Sequence, residues 1–193
     1  MATSPKGFRT FAVVWAGQLV SLVGSGLTGF ALGVYVYQQT GSTTYFALIS
    51  LATTLPGILL SPIAGALVDR WDRRVVMIVS DAGAGACTLV LALLLTSGQL
   101  HLWQIYLFMA LSSSFGALQW PAYSAATTLL VPKEQLGRAS GMVQIAEATG
   151  SILSPLIAGT LVGLIGVPGV MLIDFATFLF AVGTLLLVSI PSP

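Results

Sequence analysis

The sequence predicts an all-α integral membrane protein of six transmembrane helices, and three observations carry that prediction. Hydrophobic residues make up 56% of the 193 and charged residues only 7%, with a mean hydropathy of +0.96, whereas a water-soluble surface is about 25–35% charged. The uncharged stretches accommodate six crossings at about 20 residues each, at 10–37, 43–68, 75–97, 102–130, 139–165 and 167–190. All seven basic residues, Lys6, Arg9, Arg70, Arg73, Arg74, Lys133 and Arg138, fall in the N-terminal tail or in the second-to-third and fourth-to-fifth connections. Six spans put those three places on one side of a bilayer, and the excess of Lys and Arg marks that side as cytoplasmic. Both termini are therefore expected in the cytoplasm. Helix is the only spanning structure left, because runs such as "LVLALLL" lack the alternation of a spanning strand, and backbone polar groups in lipid must be satisfied within the segment or by a closed barrel.

The first span is longer than the 7–15-residue core of a signal peptide, so it reads as a retained helix. It carries Gln18 and Ser21 as polar positions and a Gly24, Gly26, Gly29, Gly33 series that suits close helix packing. The second span ends in "SPIAGALV", and the third opens "VVMIVSD" and holds the lone Cys87, expected as a small packing residue. The fourth contains Trp120 beside Pro121. The fifth carries Glu147, nine residues past Arg138 and so about 13 Å along a helix rising 1.5 Å per residue, near mid-membrane. The sixth carries Asp174.

An internal repeat links the halves. "SPIAGALV" at 61–68 matches "SPLIAGTLV" at 154–162, and "VVMIVSD" at 75–81 matches "GVMLID" at 169–174, at a shared offset of 93 to 94. Three spans followed by three related spans form two inverted repeats, since an odd number of spans flips the second copy. Such repeats build many secondary transporters.

Carboxylates within spans are costly and usually face a cavity or a partner. Glu147 is the first candidate for a proton or cationic-substrate site. Asp81 and Asp174 occupy equivalent repeat positions near the membrane faces, where structural roles are expected, Asp81 lying close to the Arg73/Arg74 end. Gln18, Ser21 and Trp120 are candidates to line a cavity at the repeat interface, or to bridge helices. Trp15, Trp71, Trp103, Tyr35, Tyr37 and Tyr106 fall near span ends, where an aromatic belt accounts for them.

Charge concentrates in "GALVDRWDRR", residues 65 to 74. Asp69 at a helix end and Arg73 and Arg74 at a helix start each oppose the local helix dipole, so they are expected to pair with one another or with a helix end from elsewhere. This stretch resembles the signature loop between the second and third helices of the major facilitator superfamily. Gly65, Leu67, Asp69, Arg70, Arg73 and Arg74 match, while Asp72 stands where the family usually has glycine, as in the exporter branch that includes macrolide-efflux and enterobactin-export proteins. The whole chain fits that family's N-terminal six-helix half, a single domain over 1–193. The resemblance implies that Gly65, Asp69, Arg70, Arg73 and Arg74 form a conformational latch. The fifth span resembles the family's antiporter motif through Gly141, Gly150, Pro155 and Gly159, with Ser154 and Ala158 in place of glycines. The fourth span lacks the arginine that proton-coupled drug antiporters carry near the place of Met109.

The expected function is secondary active export of a hydrophobic or amphiphilic small molecule by alternating access, with protons as the candidate coupling ion, in a bacterial cytoplasmic membrane. The alternative is a non-transporting scaffold or half-size assembly partner. Family members have twelve spans, so "SIPSP" is expected to lead toward a second six-helix half, from the same gene or a partner chain. No cofactor, metal or nucleic-acid partner is expected: the net charge is +1, and one cysteine and one histidine supply no metal cluster. An intramembrane serine protease would need a histidine within the spans, yet His101 falls in a connection. No G-x-x-x-x-G-K-[ST] nucleotide loop is present.

Overall fold

The computed structural model describes residues 5–190, and every regular element among them is helical. Five helical runs follow in order: α1 Pro5–Thr40, α2 Thr43–Val68, α3 Arg73–Thr96, α4 Leu102–Leu130 and, after a short 3-10 turn at Lys133–Gln135, α5 Leu136–Leu187. The first four match the expected spans closely, α2 and α4 to the residue. The expected fifth and sixth spans lie in the one 52-residue run α5, which is interrupted at Gly166 (φ 71°, ψ 172°). That backbone region is essentially open to glycine alone. Pro168 follows in the first turn of the returning segment, where a missing N–H costs nothing.

Packing makes clear what the interruption does. One apolar cluster joins Phe11, Val68, Met77, Leu130, Ala139 and Leu185, drawn from the start of α1, the end of α2, the start of α3, the end of α4 and both termini of α5. A second joins Leu32, Ile49, Leu91, Ile105, Val167 and Met171, from the opposite ends of α1 to α4 and the middle of α5. A straight helix would separate Ala139 from Leu185 by about 70 Å at 1.5 Å per residue. Since both sit in the first cluster, α5 doubles back at Gly166.

α1 packs chiefly on α5, α2 on α4, and α3 against both α4 and α5. Small residues set the α1–α5 approach. A Cβ on Gly26 would lie 2.6 Å from the Ser154 Cβ and 3.0 Å from the Gly150 carbonyl oxygen, and Ser154 Oγ donates to the Val23 carbonyl at 3.0 Å. Small side chains let helix backbones approach closely in this way. Four helices, α1, α2, α3 and α5, are long and apolar enough to cross a membrane by length and composition. α4 falls short because serines, threonines and glutamines interrupt it. Their positions lead to the site.

Candidate functional site

A cavity of about 580 Å³ opens between the two apolar clusters, walled by all five helices. α1 contributes Gln18, Ser21 and Thr28, α3 contributes Ser80, Asp81 and Thr88, α4 contributes Ser112 and Gln119, and α5 contributes Glu147 and Asp174. The pattern on α4 is helical: Ser112, Gly116 and Gln119 recur at four and three residues and so share one face.

Asp81 is 4% exposed and Asp174 1% exposed. Asp81 Oδ2 accepts from Gln18 Nε2 at 2.8 Å and from Gln119 Nε2 at 3.2 Å. Gln119 Nε2 also donates to Gln18 Oε1 at 2.8 Å, so one carboxylate and two amides tie α1, α3 and α4 together. Asp174 Oδ2 accepts from Thr88 Oγ1 at 3.1 Å, tying α3 to the returning part of α5. The two acids expected in structural positions thus both line the cavity, and Asp81 meets the two glutamines rather than the arginine end. Ser80 Oγ, on a residue 2% exposed, and Gln119 Oε1 have no hydrogen-bond partner.

Glu147, expected near mid-membrane facing a cavity or a partner, lines two cavities. It is exposed on α5, at the rim of this cavity and of a second one of about 440 Å³ between α4 and α5. Trp120, 50% exposed, lines that second cavity with Tyr123 and Gln144, not the first, whereas Gln18 and Ser21 do line the first. Trp120 follows Gln119 directly and is therefore turned by about 100° around the helix, toward the other side of α4. Cys87 is buried with a free thiol at the cavity wall. Trp15 is not only an end-of-span aromatic: its indole N–H donates to the Met142 carbonyl at 2.7 Å and ties α1 to α5.

The charges of the 65–74 loop separate into distinct roles. Asp72 caps α3, its Oδ1 accepting from the Arg74 N–H at 2.9 Å and the Val75 N–H at 3.2 Å. A carboxylate there satisfies two orphan amides at the positive end of the helix. Arg74 reaches across to the end of α5, where Nε donates to the Leu185 carbonyl at 2.8 Å and Nη2 to the Leu186 carbonyl at 2.9 Å. Of the two expected pairings, Arg74 takes the helix end from elsewhere. Arg73 keeps buried Nε and Nη1 groups without partners. Asp69 and Arg70 are exposed, and space is open beside Gly65. Within the fifth expected span, Gly150 approaches the Leu22 backbone, whereas nothing lies near a Cβ at Gly141 and only Phe30 comes near Gly159; Pro155 sits inside the helix.

Gln119, Ser80 and Thr88 are site residues that sequence reasoning does not single out. The polar stripe of α4 is the available signal for Gln119. Ser80 and Thr88 carry no comparable mark, because a lone hydroxyl in a span bonds its own backbone as readily as it lines a cavity.

An apolar helical bundle around a cavity into which carboxylates, amides and hydroxyls project, with its cations at the helix ends, fits a multi-pass membrane protein. The chain belongs to the Major Facilitator Superfamily, whose family model matches residues 14–193. It is 34% identical over 181 residues to Macrolide efflux protein A of Streptococcus pyogenes, covering 94% of this chain and 45% of that protein. It is 30% identical over 192 residues to Enterobactin exporter EntS of Shigella boydii serotype 4, covering 97% of this chain and 45% of the exporter. An MFS-type transporter of Bacillus subtilis, YfiS, is 29% identical over 174 residues, 90% of this chain and 40% of its own length. The chain spans less than half the length of these curated relatives.

Proposed function

We propose that this chain forms the N-terminal six-helix half of a secondary transporter that exports a hydrophobic or amphiphilic small molecule by alternating access. The observation that carries the reading is the cavity of about 580 Å³, apolar over most of its wall with a few acids, amides and hydroxyls set into it, a size and lining suited to a drug-like molecule. The names of the macrolide and enterobactin relatives support export, and their greater length supports a second half, encoded in the same gene or supplied by a partner chain. The reversal at Gly166 supports six crossings, with the two parts of α5 counted separately. Two inverted repeats are supported by the packing: the close approach of α1 to the first part of α5 at Gly26 and Gly150 mirrors the packing of α4 on α2, and Asp174 in the returning part mirrors Asp81 in α3. In this reading the protein lies in a bacterial cytoplasmic membrane with both termini cytoplasmic.

The exposed Asp69 and Arg70, the unpartnered Arg73 groups and the open space beside Gly65 await a facing helix, and together they act as a latch between halves; Arg74 holds the loop in place. Gly150 and Pro155 shape the α1–α5 contact, while Gly141 and Gly159 leave room for movement. Glu147, at the mouth of both cavities, takes up and releases the coupling proton.

Expression of the chain with its second half in an efflux-deficient bacterium should lower intracellular accumulation of a dye or antibiotic. Unchanged accumulation across a broad panel would instead favour a non-transporting scaffold. Glu147→Gln should abolish efflux driven by a pH gradient, whereas Asp69→Asn should slow transport and leave its dependence on the gradient intact. If Glu147→Gln transports with unchanged gradient dependence, Glu147 is not the coupling group.

A further inference from the structure

The two copies of the repeat are packed differently at equivalent places. Counting on by 93 residues, Gly57, Ser61 and Pro62 of α2 correspond to Gly150, Ser154 and Pro155 of α5. The copy in α5 is closed on its neighbour. Ser154 is fully buried, its Oγ donates to the Val23 carbonyl of α1 at 3.0 Å, and a Cβ on Gly150 would meet the Leu22 carbonyl oxygen at 3.4 Å. The copy in α2 is open. Ser61 and Pro62 are exposed, and Ser61 Oγ donates at 2.9 Å to the Ile58 carbonyl of its own helix, the carbonyl that Pro62, four residues on, leaves without an amide partner. By the same count Val23 of α1 corresponds to Gly116 of α4, and nothing lies within 4 Å of a Cβ placed there.

α2 is built to bend at this point. It carries Pro56 and Pro62, each of which removes a backbone hydrogen bond and favours a kink. Just before the first, Thr53 Oγ1 bonds the Ile49 and Ser50 carbonyls, and Ser113 Oγ of α4 donates to the Thr53 carbonyl. A Cβ on Gly57 would lie 3.4 Å from that same Ser113 Oγ, so α2 is pinned to α4 at this level, and Ala64 and Val68 are buried again toward its end. Between these anchors Ile58, Leu59 and Ile63 are 63–65% exposed. Thr53, Gly57 and Ser61 recur every four residues and share one stripe of the helix, so the stripe that meets Ser113 also carries Ser61. Thr53, Ser113 and Gly116 line the larger cavity, which makes the α2–α4 seam part of its wall.

We propose that residues 58–63 of α2 form a flap, hinged at Pro56 and Pro62, that closes on α4 at Gly116 and narrows the cavity along this seam. On closing, the Ser61 hydroxyl leaves the Ile58 carbonyl and donates to the Gly116 carbonyl, as Ser154 donates to Val23 in the copy already closed. One hydroxyl changes acceptor and no covalent bond changes, so the exchange lies near balance. The flap supplies a moving part for the transport reading above and rests on it.

The test uses the full chain with Cys87→Ser in phosphatidylcholine nanodiscs and Gly116→Cys, a position whose open space admits a side chain, reacted with N-ethylmaleimide. The closed flap shields that thiol. Ser61→Ala should therefore raise its rate of reaction several-fold, Ser61→Thr should keep the parent rate, and Leu129→Cys, elsewhere on α4, should react alike in all three backgrounds. An unchanged rate at Gly116→Cys in the Ser61→Ala chain, or an equal rise at Leu129→Cys, overturns the proposal. If Gly116→Cys prevents folding, a spin label on Leu60→Cys decides: an immobilised component that Ser61→Ala removes is expected, and a spectrum that Ser61→Ala leaves unchanged overturns the proposal. A disulfide between Ser61→Cys and Gly116→Cys, which holds the Cα atoms about 4.4–6.8 Å apart, locks the flap shut. With the second half present, oxidation should stop export and dithiothreitol should restore it; export that continues with the disulfide formed overturns the proposal. A chain whose flap shields Gly116→Cys yet which lowers the accumulation of no compound in cells removes the transport reading and leaves the flap standing. A chain that exports compounds while Ser61→Ala leaves Gly116→Cys unaffected does the reverse.

Discussion

Asp72 illustrates how one side chain answers a question that the sequence can only pose. In the loop pattern it stands in the place of a glycine, and its charge sits among three arginines, so sequence reasoning treats it as a departure to be explained by family branch. The geometry gives it a local role, in which its carboxylate closes the first turn of α3 by accepting from two backbone amides. Asp72→Ala should lower stability by about 1 kcal/mol, the usual cost of losing such a cap, read as an earlier thermal unfolding of the purified protein in detergent. Asp72→Asn should retain most of that stability because the amide oxygen can still accept. If the asparagine variant is as unstable as the alanine variant, the negative charge and not the cap is what the position needs. The arginines are harder to separate from sequence, since Arg73 and Arg74 are adjacent and chemically identical; only the place of the end of α5 distinguishes the one that finds carbonyls from the one that does not.

At the scale of the helix, α5 is the element whose course depends on one residue. Gly166 holds a φ of 71° and ψ of 172°, a conformation that costs a residue with a Cβ about 1–3 kcal/mol. Gly166→Ala should therefore destabilise the protein by that amount, and the loss should appear as weakened docking of 167–187 against α1 and α3. Hydrogen exchange at Asp174 and Phe178 would rise well before exchange in α2, which the reversal does not touch; uniform exchange across the bundle would contradict this. Helix boundaries are legible because apolar runs broken by short polar or charged connections mark spans directly, as α2 and α4 demonstrate. Apolar lengths alone place the turn between the last two spans near the right residue, but it contains no polar residue, so its continuity with the flanking helices is invisible in the sequence. The cavity is less legible. Gln18 and Ser21 are recognisable as polar positions in α1, but the partnership of Gln18 with Asp81 and Gln119 joins residues 63 and 101 positions away. Glu147 draws attention because an acid in an apolar span is costly wherever that span is covered on all sides, and nothing in its neighbours' identities tells that its side of α5 is open.

For the whole molecule, the arrangement of charge makes a prediction about orientation. The start of α1, the α2–α3 turn, the α4–α5 turn and the end of α5 meet at one apolar cluster, and the described basic residues border it. With that end in the cytoplasm, a membrane-impermeant thiol reagent added outside cells should label a cysteine placed at Ser97 or Gly98 and spare one placed at Asp72, in a background where Cys87 is replaced by serine. The reverse labelling would invert the topology. The contact between Arg74 and the last turn of α5 spans 111 and 112 residues of sequence, and this has a consequence for how the chain is made. Synthesis runs from the N-terminus, so the guanidinium emerges long before the carbonyls that receive it, and during that interval α3 is inserted with its first turn tethered only by its own cap. Closure of this clasp thus waits on the far end of α5: it registers that all the helices between have been threaded, and until Leu185 is in place Arg74 stays unclasped.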